Sequence, residues 1–167
     1  RATNSPFDRH LAGATDALND AELRGLDIFY NKGECSTCHS GPFLTDHKFH
    51  ALGVPQFGPG KDVPGKAYAD HGRSAVTGED ADAYRFRTPS LRNVAITAPY
   101  GHSGAFPTLE SVVDHHLDPI RSLVNYDKKL AVLHDGPLSE TDWVPMSDTH
   151  ELLNIAKSIE IVPVELS

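Results

Sequence analysis

Two cysteines and a histidine stand together at Cys35-Ser36-Thr37-Cys38-His39. Thiols separated by two residues can each form a thioether to one of the two vinyl groups of a porphyrin. A histidine directly after the second thiol is then held under the iron as its proximal ligand. Other chemistries fit these residues less well. A zinc site needs two more ligands at finger-like spacing, and His47 and His50 follow too closely, with too short a gap between them. A thioredoxin-like dithiol would sit beside a βαβ pattern, which the sequence lacks. Both cysteines of the chain fall inside the motif, so none is left for another framework. The expectation is one haem c, covalently held by Cys35 and Cys38, with His39 as an axial ligand.

Helices must position such a plate, and the sequence marks three. Asn19 and Glu22 form a capping-box pattern with Leu18 and Leu23 placed as a hydrophobic staple; Leu23, Leu26, Phe29 and Tyr30 repeat at helical spacing, and Gly33 ends the run. A second helix opens at Thr108, a suitable N-cap. Leu109, Val112, Val113 and His116 follow at i, i+3, i+4 and i+7, which puts His116 on the buried stripe and rotates His115 away from it. His116 is therefore the candidate second ligand to iron. The competing readings are a core histidine satisfied by a neighbouring carbonyl, and ligation by Met146, the single methionine, just before the last helix. That helix is expected from about Ser147, with Asp148 and Glu151 as its capping box, through Leu152, Ala156 and Ile159 to a stop before Pro163.

Between these helices periodicity fails. Gly53, Pro55, Gly58, Pro59, Gly60, Pro64 and Gly65 punctuate an irregular region running to about Tyr84, long for a compact domain unless it wraps the porphyrin edge. Glu79, Asp80 and Asp82 read as a solvated turn, Gly136-Pro137 as a break, and Trp143 as core packing. The fold class expected is mainly α: a cytochrome c-like helical domain over residues 19–167, wrapped around one covalent haem, with long irregular loops. Residues 1–18 read as an interdomain tether.

Composition agrees with a single domain. A chain of 167 residues with 39% hydrophobic residues can build one core. A formal charge of -8 argues against nucleic acid or an anionic membrane as partner. No apolar run is long enough to span a membrane. Haem c is attached outside the bacterial cytoplasm, so a periplasmic location is expected.

The stretch Phe86-Arg87-Thr88-Pro89-Ser90-Leu91-Arg92-Asn93-Val94-Ala95-Ile96-Thr97-Ala98-Pro99-Tyr100-Gly101-His102-Ser103-Gly104 resembles the bacterial di-haem cytochrome c peroxidase and MauG family, specifically its C-terminal haem domain. Gly41-Pro42-Phe43-Leu44-Thr45-Asp46, Phe49-His50, Leu52-Gly53-Val54-Pro55 and Ser5-Pro6-Phe7-Asp8-Arg9 resemble the same family, so the likeness runs from the tether to at least Asp118. With His102 matched to the family's histidine in that region, position 116 is where the peroxidases carry methionine and MauG carries tyrosine. Histidine departs from both.

The resemblance implies a domain that takes electrons from a small redox protein and passes them to a haem in an N-terminal domain of the same or another chain, where peroxide reacts. It also implies a calcium site in which the carbonyls of Thr97 and Pro99 take part. The alternatives are a stand-alone single-haem carrier and a sensing module whose distal ligand is displaced by a small molecule. Two protein ligands would close the iron to peroxide, so this chain alone is expected to transfer electrons, with any peroxidase-like reaction belonging to a longer parent.

Overall fold

Capping chemistry sets where the helices of the computed structural model begin; the structure describes residues 4–58, 69–131 and 140–166. Helix α1 spans Pro6–Leu11 and is opened by a capping box in which Ser5 and Asp8 exchange bonds. Helix α2, Asp20–Tyr30, begins with the box expected from sequence: the Asn19 side chain accepts from the amides of Ala21 and Glu22, and Glu22 returns the bond to the Asn19 amide at 2.8 Å. Among the described residues there follow α3 (Ser74–Thr77), α4 (Leu109–Leu117), α5 (Pro119–Val124), α6 (Val144–Ser147) and α7 (Thr149–Ser158), with short 3₁₀ turns. Strands β1 (Phe49–His50) and β2 (Phe86–Arg87) form a two-residue antiparallel pair. The mainly α class is as expected.

The chain divides into two compact units, one of residues 1–47, 88–94 and 166–167, the other of residues 48–87 and 95–165. In the first unit lie α1, α2 and the cysteine motif. Residues 4–18, expected as a tether, contain α1, and its Asp8 carboxylate accepts two bonds from one Arg92 nitrogen at 2.8 and 2.9 Å. The Arg92 guanidinium, helped by Ser5, holds the Asp8 carboxyl well below the usual carboxylate range. A carboxylate with a depressed folded pKa contributes stability that is present above its unfolded value, about 3.9, and lost as pH falls through the folded one. We therefore expect Asp8→Asn to lower the denaturant midpoint at neutral pH, with the gap to the unaltered chain closing below about pH 4. A gap that does not change with pH would contradict the ion pair.

The second unit carries the apolar core. Phe57, Ala105, Phe106 and Trp143 form one buried cluster; Tyr84, Leu123 and Ile155 form another. Trp143 is core, as read from sequence, with its ring 5.1 Å from that of Phe57. Met146 packs against both clusters. Helix α7 starts where expected, with Asp148 accepting from the amides of His150 and Glu151. Glu151, however, is not spent on the cap. Its carboxylate accepts the Tyr84 hydroxyl at 2.7 Å and faces His71 at 3.7 Å, a tertiary use that no local pattern foretells. Gly136-Pro137 and part of the expected wrapping loop lie outside the described residues.

Candidate haem site

The cysteine motif follows directly from the end of α2. Asn31 caps the helix, and the Gly33 amide then donates back to the Ile28 carbonyl at 2.7 Å. A Cβ at Gly33 would stand 2.8 Å from that carbonyl oxygen and 3.2 Å from Cys35 Sγ, so only glycine lets the chain turn this closely. Glu34 takes a left-handed conformation, and Cys35–Thr37 form a single 3₁₀ turn. The amides of Cys38 and His39 both donate to the Cys35 carbonyl. This winds the five residues so that two cysteines and the histidine come from little more than one turn. The cysteines are half-buried and form no disulfide. Burial pushes the Cys35 thiol up, away from the reactive thiolate that a redox dithiol needs.

The loop after the motif folds back on it. Leu44 donates its amide to Gly41, Thr45 to Ser40 and Asp46 to the Cys38 carbonyl. Leu44 itself lies in the left-handed region at φ 51°, a conformation a branched side chain adopts at a cost. The return is the direction of its carbonyl, which stands 3.2 Å from His39 Nδ1. A carbonyl can only accept, so Nδ1 carries a proton, and in the neutral imidazole the lone pair is then on Nε2. This is how proteins fix the tautomer of a metal-binding imidazole from behind.

Residues 88–94 brace the loop. The buried Thr45 hydroxyl donates to the Thr88 carbonyl at 2.7 Å and accepts from the His47 amide, and Ser90 donates to the Phe43 carbonyl at 2.6 Å. We expect Thr45→Val, which keeps the shape and removes both bonds, to cost about 1–3 kcal/mol in denaturant unfolding, because the Thr88 carbonyl is left buried and unpaired. No loss of stability would show that the loop is held otherwise.

The donor set fits a haem on chemical and packing grounds. Two thiols and an Nε2 lone pair are the groups a c-type haem takes from its attachment sequence. Leu23, Leu26 and Phe29 of α2 are half-buried, and among the described residues of this unit no apolar side chain is fully buried. An apolar plate would complete a burial that the unit's own side chains do not supply.

The remaining candidates lie in the second unit. Thr108 caps α4 as expected, in a box closed by Ser111. The stripe differs from the expected one at its end. Val113 is half exposed, while His115, expected to turn away, is fully buried. The reason is that α4 is covered from two directions near its C-terminus. His115 Nε2 donates to the Leu52 carbonyl at 2.8 Å, and its Nδ1 meets Ser122 Oγ of α5 at 3.0 Å. Burial drives its pKa down to about 4, so it is a neutral core histidine. His116 is half-buried, and its Nδ1 donates to the Val112 carbonyl at 2.7 Å, again placing the lone pair on Nε2. Burial lowers the pKa of His116 too, favouring the neutral form that can bind iron. Thr97 and Pro99 are both exposed, just after a 3₁₀ turn at Val94–Ile96.

A mainly helical fold with a C-x-x-C-H turn directly after a helix is consistent with the c-type cytochrome class. No protein-family model matches the chain. Cytochrome c peroxidase from Escherichia coli K12 is 41% identical over 111 residues, covering 66% of this chain and 23% of that protein. A cytochrome-c peroxidase of Pseudomonas sp. strain SCT is 36% identical over 135 residues, 69% of this chain and 36% of that one. The methylamine utilization protein MauG of Methylophilus methylotrophus is 33% identical over 144 residues, 84% of this chain and 39% of that one. Among solved structures, a MauG-like protein associated with microbial copper homeostasis superposes with a TM-score of 0.58 at 28% identity, over 96% of this chain and 47% of that one. The chain belongs to the di-haem cytochrome c peroxidase and MauG family, and spans well under half the length of these curated relatives. Among the described residues no helix is long and apolar enough to cross a membrane.

Proposed function

We propose that this chain is the electron-transfer haem domain of a peroxidase-like or MauG-like oxidoreductase, relaying electrons from a small redox protein to a partner haem. In this reading Cys35 and Cys38 would hold one haem c covalently, and His39 and His116 would supply the two protein ligands to its iron. The observation that carries it is the same device at both histidines: each presents Nδ1 to a backbone carbonyl, Leu44 for His39 and Val112 for His116, the arrangement by which proteins orient a metal-binding imidazole from behind. His115 is unsuited to the second role, because both of its ring nitrogens already meet protein partners. Met146 is taken up in packing against two core clusters.

The group supplies reversible one-electron chemistry at iron when bound. The chain's contribution is to fix both imidazoles and shield them. Two protein ligands favour outer-sphere electron transfer and disfavour direct reaction with peroxide, and imidazole in place of thioether lowers the potential. Family membership also supports export to the periplasm, where haem c is attached, and a calcium ion held in part by the carbonyls of Thr97 and Pro99. The test is stopped-flow mixing of the reduced chain with peroxide. Rapid reduction by a small cytochrome with slow, non-saturating reoxidation by peroxide is expected. Fast saturable turnover would move the peroxide chemistry into this domain.

A further inference from the structure

We infer that His115 is a positioning residue: clamped between Leu52 and Ser122, it sets the orientation in which His116 presents its ring to iron. The inference rests on the reading of His116 as a ligand and goes beyond it. Helix α4 has nine residues, too few to be stable alone, and its last turn carries both histidines. Helix ends fray unless something holds them. At this end the Asp118 amide bonds only weakly to the Asp114 carbonyl, at 3.3 Å, and Asp118 then starts α5 by accepting from the Arg121 amide.

His115 supplies the hold. Its Nε2 proton goes to the Leu52 carbonyl, on the segment after β1, and its Nδ1 lone pair accepts the Ser122 hydroxyl proton from α5. The two bonds reach out from opposite sides of one ring, so that ring cannot turn without breaking one of them. Its face packs on Phe106 with centroids 4.8 Å apart, and the His116 ring stands beside it at 6.1 Å and 89°. A second tie at the same turn is the Val164 amide, which donates to the Leu117 carbonyl at 2.9 Å. With His115 tied on two sides, the adjacent His116 is held by its own bond to the Val112 carbonyl. Partners one step behind a metal-binding imidazole commonly set its plane, and the plane in turn sets the electronic properties of the iron.

The test uses the haem-loaded chain in its ferric state. Electron paramagnetic resonance reads the relative orientation of the two axial rings through the largest g value, and cyanide displacement reads how firmly the distal ring is held. The unaltered chain should give one narrow low-spin signal. His115→Leu fills the space but makes neither bond; it should shift or split that signal and speed cyanide entry about tenfold. His115→Gln can donate to Leu52 and accept from Ser122, and should restore both readouts towards the unaltered chain. If His115→Leu fails to fold, Ser122→Ala replaces it, with a smaller shift in the same direction. An unchanged signal and cyanide rate in these variants, whatever their melting temperature, would overturn the inference, as would Gln behaving no better than Leu. His116→Ala separates the two claims. If it keeps the original low-spin spectrum, the ligand assignment itself is wrong.

Discussion

A Cys35→Ser/Cys38→Ser double variant is expected to surrender all of its haem to acidified organic solvent, while the unaltered chain keeps its colour in the protein pellet. The turn at residues 33–39 gathers two thiols and one imidazole. Gly33 is required by its approach to the Ile28 carbonyl, and Glu34 and Leu44 both occupy left-handed backbone, a cost of the order of 1 kcal/mol each. Strain of this kind persists where the surroundings enforce it. Serine keeps the shape of each site and removes the thioether, so His39 would then be the only remaining bond from this segment to the group. The single variants should each retain a covalent haem attached at one vinyl, with a shifted absorption maximum. Extraction of haem from the unaltered chain would remove the foundation of the account.

His116→Ala is expected to convert a low-spin ferric haem into one with an open axial position. Cyanide and carbon monoxide should bind without denaturant, and oxidation of the ferrous form by peroxide should accelerate by orders of magnitude. The protein should remain folded. His116 is only half-buried and its single protein bond is to a carbonyl inside its own helix, whereas the fully buried packing of α4 depends on His115. The comparison with Met146→Leu is informative, since that change conserves volume and should leave the spectrum unaltered. A spectrum that follows Met146 and ignores His116 would reverse the assignment.

How much of this was legible in the sequence varies with the range of the interactions. The starts of three helices are legible, because caps are local: Asn19, Thr108 and Asp148 each accept from amides two or three residues on. Helix α1, capped by Ser5, is not legible in the same way, because six residues give no apolar period to read. Strands of two residues leave no alternation at all. The C-x-x-C-H turn is legible as a motif, but the left-handed Leu44 that aims a carbonyl at His39 is not; a leucine carries no signal for that conformation.

The phase of α4 shows the limit most clearly. Counting i, i+3, i+4, i+7 assumes that one face is covered. Here the Leu52 segment and α5 cover the last turn from two sides, so His115 is buried and Val113 is not. Glu151 sits at a capping-box position in the sequence but accepts the hydroxyl of Tyr84, 67 residues away.

The proposed electron-transfer role and the role of His115 both depend on the axial pair, and the combined electron paramagnetic resonance and near-infrared spectrum of the ferric chain tests it most directly. The account predicts a single low-spin species with the g anisotropy of two neutral imidazoles and no charge-transfer band from methionine sulfur to iron. A high-spin ferric signal, or a methionine band that disappears in Met146→Leu, would contradict it.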